Sequence, residues 1–264
     1  MRQLFVAIVF VAVVAAQQCV TTKFNYCNNN LADAVGLPGQ GQQMFRNWTI
    51  MYNQFLYLFG QNPGSTQQIL QVCNALEIFN DCIVGSNNAG CLDIRTLVQN
   101  TDLQNAWFIG GTLAMYQFNC GPGVNTLIHT NLTCAQRVLQ NYQNTLEACV
   151  TSYQSSITSD VRNSCTYVNT LIKCWSTPFY TAPCRRAQGA DVWWSCEANN
   201  QFTNNQFPNC GIDCDAMAGP FMTGDSFVQQ HHKVVDGVHW FKIPNYMAIK
   251  DDKLVEVEGE WMNN

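Results

Sequence analysis

Fourteen cysteines behind an apolar leader constrain this chain more than any other feature. They stand at Cys19, Cys27, Cys73, Cys82, Cys91, Cys120, Cys134, Cys149, Cys165, Cys174, Cys184, Cys196, Cys210 and Cys214. What they become depends on compartment, because thiols exported from the cytosol oxidise and stay oxidised. Met1 and Arg2 precede an uncharged run from Leu4 to Ala16, with small residues at Val14 and Ala16. That order matches the secretory pattern, so residues 1–16 are expected to form a signal peptide cut after Ala16. The run has 13 residues, short of the roughly 20 that cross a bilayer as a helix. No later segment is apolar for long enough, and the mature chain is expected to be secreted and extracellular with no membrane span.

Export then assigns the cysteines. An even count allows every thiol to pair, and all fourteen are expected to be structural disulfides of open connectivity. Zinc ligands come as close pairs such as C-x2-C with matched partners. Here the closest pair is Cys210 and Cys214, and His129 is the sole histidine between the first and last cysteine, so no metal is expected.

The 248 residues after Ala16 suffice for one sizeable core. Only 12 % of all residues are charged and the net charge is −5, which argues against nucleic acid as a partner, since that needs a basic face. Charge also marks a boundary: Asp215 to Asn264 holds no cysteine yet carries 12 of the 31 charged side chains. Residues 17–214 read as a disulfide-rich helical domain and 215–264 as a cysteine-free carboxyl segment.

Within the body the apolar period is helical. Ile69, Val72, Cys73, Leu76 and Phe79 follow the i, i+3, i+4, i+7 rule, with Ser65 and Gln68 resembling a capping box. One helix is predicted from Asn131 to about Gln154 and another from Ser159-Asp160 to Thr177-Pro178. Others are predicted near Met44 to Phe59, Leu92 to Gln99, Leu103 to Phe118 and Pro183 to Ala198. Loops are expected at GLPGQG, QNPGS, GSNNAG, CGPG and FTNNQFPNCG. The fold class is therefore mainly all-α, a disulfide-stapled helical bundle or array.

Helical geometry constrains the staples. Nine residues turn an α-helix two and a half times and raise it about 13.5 Å, so Cys73 and Cys82 face opposite sides of one helix, as do Cys165 and Cys174. A disulfide needs Cα atoms within about 7 Å, so each of these helices is expected to be tied to two different neighbours.

Several spacings together, Cys19-x7-Cys27, Cys73-x8-Cys82-x8-Cys91 and the helical series Cys149, Cys165, Cys174, resemble a nematode family. It is the family of secreted, cysteine-rich helical proteins classed as a domain of unknown function (number nineteen). The similarity covers roughly residues 19 to 200 and excludes the carboxyl segment. It implies an extracellular helical domain and supplies no catalytic residues.

Two N-glycosylation sequons fit the exported setting, Asn47-Trp48-Thr49 and Asn131-Leu132-Thr133; Asn131 would alternatively serve only as a helix cap. No enzyme is expected. The chain has no G-x-S-x-G, no H-E-x-x-H and no His-Asp pair in a cysteine-flanked helix, and no catalytic residue or cofactor is assigned. Asp213 and Asp215, flanking Cys214, read as solvated turn residues.

The carboxyl segment carries the remaining candidates. Asp236-Gly237 within HHKVVDGVHWF is the chain's strongest hairpin signal. A two-residue loop pairs Val235 with Val238 and Val234 with His239, setting His232 and His239 diagonally on one face; two histidines alone make a poor metal site. A second hairpin is predicted from Ala248–Lys250 and Leu254–Glu258 around Asp251-Asp252. Trp240, Phe241 and Trp261 then form a contact surface unless they pack on the body. The expected function is a binding or structural interaction module for an extracellular protein or glycan. The alternative is a carrier of an apolar ligand held among Phe55, Phe59, Trp107, Phe108 and Phe118.

Overall fold

The computed structural model describes residues 19–130, 132–182, 189–218, 232–242, 246–250, 253–257 and 260–263; the leader, Asn131 and Cys184 lie outside them. In chain order the helices are α1 (Thr21–Ala34), α2 (Gly41–Met44), α3 (Trp48–Gly60), α4 (Gln67–Gly85), α5 (Ile94–Asn100), α6 (Leu103–Cys120), α7 (Pro122–Thr130), α8 (Leu132–Asn141), α9 (Gln143–Ser159), α10 (Ser164–Thr181), α11 (Ala190–Asn204) and α12 (Cys214–Ala218). Five strands follow: β1 (His232–Val235), β2 (Val238–Lys242), β3 (Tyr246–Lys250), β4 (Lys253–Val257) and β5 (Trp261–Asn263). The chain is a disulfide-stapled, mainly α fold with a small β addition.

Helix α11 is its axis. It packs on α6, α7, α10 and α12, and its side chains are buried from Ala190 to Asn200 without a solvent face. Close approach to α6 is made by Gly110 and Gly111, where a Cβ would collide with the Asn205 side chain and the Phe202 carbonyl. Around that contact the rings of Trp48 and Phe108 stack at 4.6 Å, and Phe202 lies 5.7 Å from Phe108 and 5.8 Å from Tyr52. Buried rings with a polar atom need a partner for it: the Trp175 indole donates to the Tyr52 hydroxyl at 3.0 Å, and the Tyr153 hydroxyl donates to Gln206 Oε1 at 3.0 Å.

The disulfides lace this core. Cys27–Cys82 ties α1 to α4, Cys73–Cys120 ties α4 to the end of α6, and Cys19–Cys91 fixes the amino end beside the turn that follows α4. Cys149–Cys174 joins α9 to α10, Cys165–Cys210 joins α10 to the α11–α12 loop, and Cys196–Cys214 joins α11 to α12. Cys73 and Cys82 thus reach different neighbours from opposite sides of α4, and Cys165 and Cys174 do the same from α10. Cys134 is also disulfide-bonded.

Several element boundaries differ from those read off the sequence. The segment predicted as one helix from Asn131 to Gln154 is two, α8 and α9, separated at Tyr142, because α8 packs on α3 while α9 turns to α10. The helix predicted from Met44 breaks before Trp48, where Asn47 caps α3 by accepting from Thr49 N. Helix α10 runs through Pro178 rather than stopping there, since Phe179 one residue on is buried and stacks on Trp175 at 5.6 Å. No capping box forms ahead of α4: the Ser65 hydroxyl accepts from Gln67 N instead. Helix α11 extends six residues past Ala198 to bring Phe202 into the aromatic cluster. Helices α1, α2, α7 and α12 lie outside the predicted elements; α12 takes up Asp215, which the sequence read as a solvated turn residue.

The β addition keeps its expected register at the first hairpin, with Val235 opposite Val238 and Val234 opposite His239. Asp236 and Gly237 both have positive φ, 53° and 76°, as a type I′ turn requires. Strand β5 extends this pair to a sheet of order β1-β2-β5, and β3 pairs with β4 separately.

Candidate functional site

The boundary drawn at Cys214 falls on α12, and across it the carboxyl segment meets the body. Strand β1 places His232 against α11: its ring lies 5.2 Å from that of Trp193, and it is buried to 7 % exposure. Its Nδ1 is 3.3 Å from Asp215 Oδ2, and the other carboxylate oxygen accepts the Trp193 indole N–H at 2.7 Å. Asp215 therefore clamps helix, strand and indole together. Its neighbour Asp213 accepts from Ala216 N at 3.0 Å and caps α12.

Beside this clamp opens a cleft of about 570 Å3, bounded by α11, the loop from 205 to 213, α12 and β1. Its floor is the face of α11 carrying Glu197, Asn200, Gln201 and Asn204, residues three or four apart that follow Trp193 along the helix. Asn200 holds the opposite wall: its side chain donates to Ile212 O at 2.9 Å and accepts from Ile212 N at 3.2 Å, copying a strand pairing. Cys165–Cys210 and Cys196–Cys214 pin the same loop covalently.

Glu197 is the unusual group. At 1 % exposure, burial pushes its carboxyl up to about 7; the His232 imidazole draws it down, the Asp215 carboxylate pushes it further up, and hydrogen bonds with Asn200 and Gln201 draw it down. Near neutrality it is divided between acid and carboxylate and can either donate or accept. Asp191, at the start of α11, is likewise pushed up to about 6 by burial, against the Val192 N–H. Among the described residues no lysine or arginine lines the cleft, and no group of three or more His, Cys, Asp or Glu is placed to hold a metal.

The residues singled out in the sequence are dispersed. Asn47 is an exposed cap of α3 whose Oδ1 accepts both from Thr49 N and from the Thr49 hydroxyl, while Asn131 and the His239 side chain lie outside the described residues. Phe55 and Phe59 pack on Tyr116 at 4.9 and 5.1 Å, Phe108 on Trp48, Trp107 on Phe207 at 6.0 Å and Phe118 on Trp193 at 6.0 Å; each ring is taken up by another aromatic side chain. Trp240 and Trp261 are half-buried, with the Lys233 ammonium 6.0 and 4.1 Å from their ring centres. Glu197 and Asn200 were missed in the sequence, where the readable signal was a polar stripe at positions 197, 200, 201 and 204 inside an otherwise buried helix. Among the described residues no helix is long and apolar enough to cross a membrane. No family model matches the chain, and no curated protein or solved structure is detectably similar to it.

Proposed function

We propose that the protein is a secreted binding module, in which a rigid helical body presents the cleft between α11 and β1 to an extracellular partner. The observation that carries this reading is the construction of the cleft. Its volume falls within the range of about 300–1,000 Å3 usual for ligand sites, and its loop wall is fixed by two disulfides and the Asn200 bridge. A wall already ordered loses little further freedom on binding. Oxidised cysteines throughout the body support an exported setting. The carrier alternative has less to stand on, since each aromatic residue it needs packs on another ring of the protein.

The test is purification from the producing cells followed by native mass spectrometry, alongside a Val234→Trp variant. Val234 lines the cleft and is 51 % exposed, so an indole there fills the opening without entering the core. A co-purifying species present on the wild type and absent from the variant supports the reading. Identical spectra from the two proteins would overturn it.

A further inference from the structure

We infer that the cleft takes a neutral, hydroxyl-rich saccharide. This rests on reading the cleft as the binding site and adds the chemistry of its occupant. The lining interleaves donors and acceptors, since the carboxamides of Gln201, Asn204 and Asn209 offer both. Planar groups with two polar atoms side by side suit the adjacent hydroxyls of a sugar ring. The apolar part of the lining, which includes Pro208, Ile212 and Val234, is about equal in extent to the polar part, an even mixture that suits a sugar ring with its C–H face and its rim of hydroxyls.

Charge narrows the class further. Sulfated or uronate-bearing glycans need cationic partners, and a cleft whose described lining carries three carboxyl groups and neither lysine nor arginine repels them. An amine ligand would want free carboxylates, but those present are largely engaged. Both oxygens of Asp215 face Trp193 and His232, Asp213 caps α12, and Glu197 is held by Asn200 and Gln201. What remains directed at the opening is uncharged hydrogen-bonding capacity.

Saturation-transfer NMR on the full secreted protein, with maltotriose, cellotriose, mannotriose and chitotriose as neutral probes, and a heparin hexasaccharide and spermidine as charged ones, tests the assignment. Transfer to at least one neutral trisaccharide is expected, abolished in Val234→Trp and weakened tenfold or more in Gln201→Ala/Asn204→Ala. Among the described residues those two side chains hydrogen-bond to no other helix, and circular dichroism would report any loss of fold. A response confined to heparin or spermidine, or one that Val234→Trp leaves intact, would overturn the inference. So would silence from all four neutral probes. If a species of other chemistry co-purifies in the cleft and is displaced by Val234→Trp, the saccharide assignment falls while the binding reading stands.

Discussion

His232 Nδ1 lies 3.3 Å from Asp215 Oδ2, joining the first residue of β1 to the first turn of α12. One partner is buried and the other half-exposed, and the Trp193 indole closes the triangle through the second carboxylate oxygen. The pair is therefore the hinge pin of the carboxyl sheet. His232→Ala removes the contact and the ring packed on Trp193 together. Amide exchange across β1 and β2 is expected to accelerate about tenfold or more, equivalent to about 1.4 kcal/mol, with the helical body unchanged. Unaltered exchange in those strands would mean that something else holds the sheet.

Glu197 makes stability depend on pH in a defined direction. Its carboxyl rises from 4.5 in the unfolded chain to about 7 in the folded protein. Below 4.5 both states are protonated and the group contributes nothing. Between 4.5 and 7 the unfolded chain ionises first, so stability falls as pH rises, reaching a loss of about 3 kcal/mol above 7. Asp191, raised to about 6 by burial, adds a fall of the same sign at lower pH. Glu197→Gln keeps the shape and removes the titration, so its melting temperature should equal that of the wild type near pH 4.5 and exceed it at pH 8. A gap that stays constant across that range would rule out the buried carboxyl as its source.

The helical class and the reach of the cysteines were legible because they follow from period alone. Ile69, Val72, Leu76 and Phe79 are buried on α4 as spaced, and the nine-residue step sends Cys73 and Cys82 to different neighbours. Helix α1 was hidden by composition: Phe24, Cys27, Asn28, Leu31 and Ala32 form a helical stripe, but Asn28 to Asn30 reads as loop. Pro122, a residue suited to the first turn of a helix, marked α7 equally well. The cleft was not legible, because it joins elements far apart in the chain, α11 ending at Asn204 and β1 beginning at His232. Local pattern shows Glu197 and His232 as separate features; only the tertiary fold brings them together.

Two disulfides separate stability from cleft geometry. Cys27–Cys82 closes 55 residues and Cys196–Cys214 closes 18. On loop-closure entropy alone their removal as paired alanine variants costs about 4 and about 3 kcal/mol. The first tie lies at α1 and α4, away from the cleft, whereas Cys214 lines it. Denaturant titration should rank Cys27→Ala/Cys82→Ala as the less stable variant, and only Cys196→Ala/Cys214→Ala should lose binding under conditions where both are folded. The reverse pattern of binding loss would place the site elsewhere.

Asn47 allows glycosylation and helix capping to be tested apart. Its Oδ1 is taken up by Thr49 N at 3.2 Å and by the Thr49 hydroxyl at 2.7 Å, while the residue itself is exposed. The buried Trp48 beside it is anchored separately, its N–H donating to Asn105 Oδ1 at 2.8 Å. The amide nitrogen that would carry a glycan takes no part in these contacts. Asn47→Asp retains a capping oxygen of similar strength and cannot accept a glycan; Asn47→Ala loses both. In protein secreted from a eukaryotic host, intact mass should fall by one N-glycan in both variants. Stability should drop by about 1 kcal/mol further in Asn47→Ala than in Asn47→Asp. Equal mass for wild type and Asn47→Asp would show the sequon unused, and equal stability of the two variants would show that the cap contributes nothing.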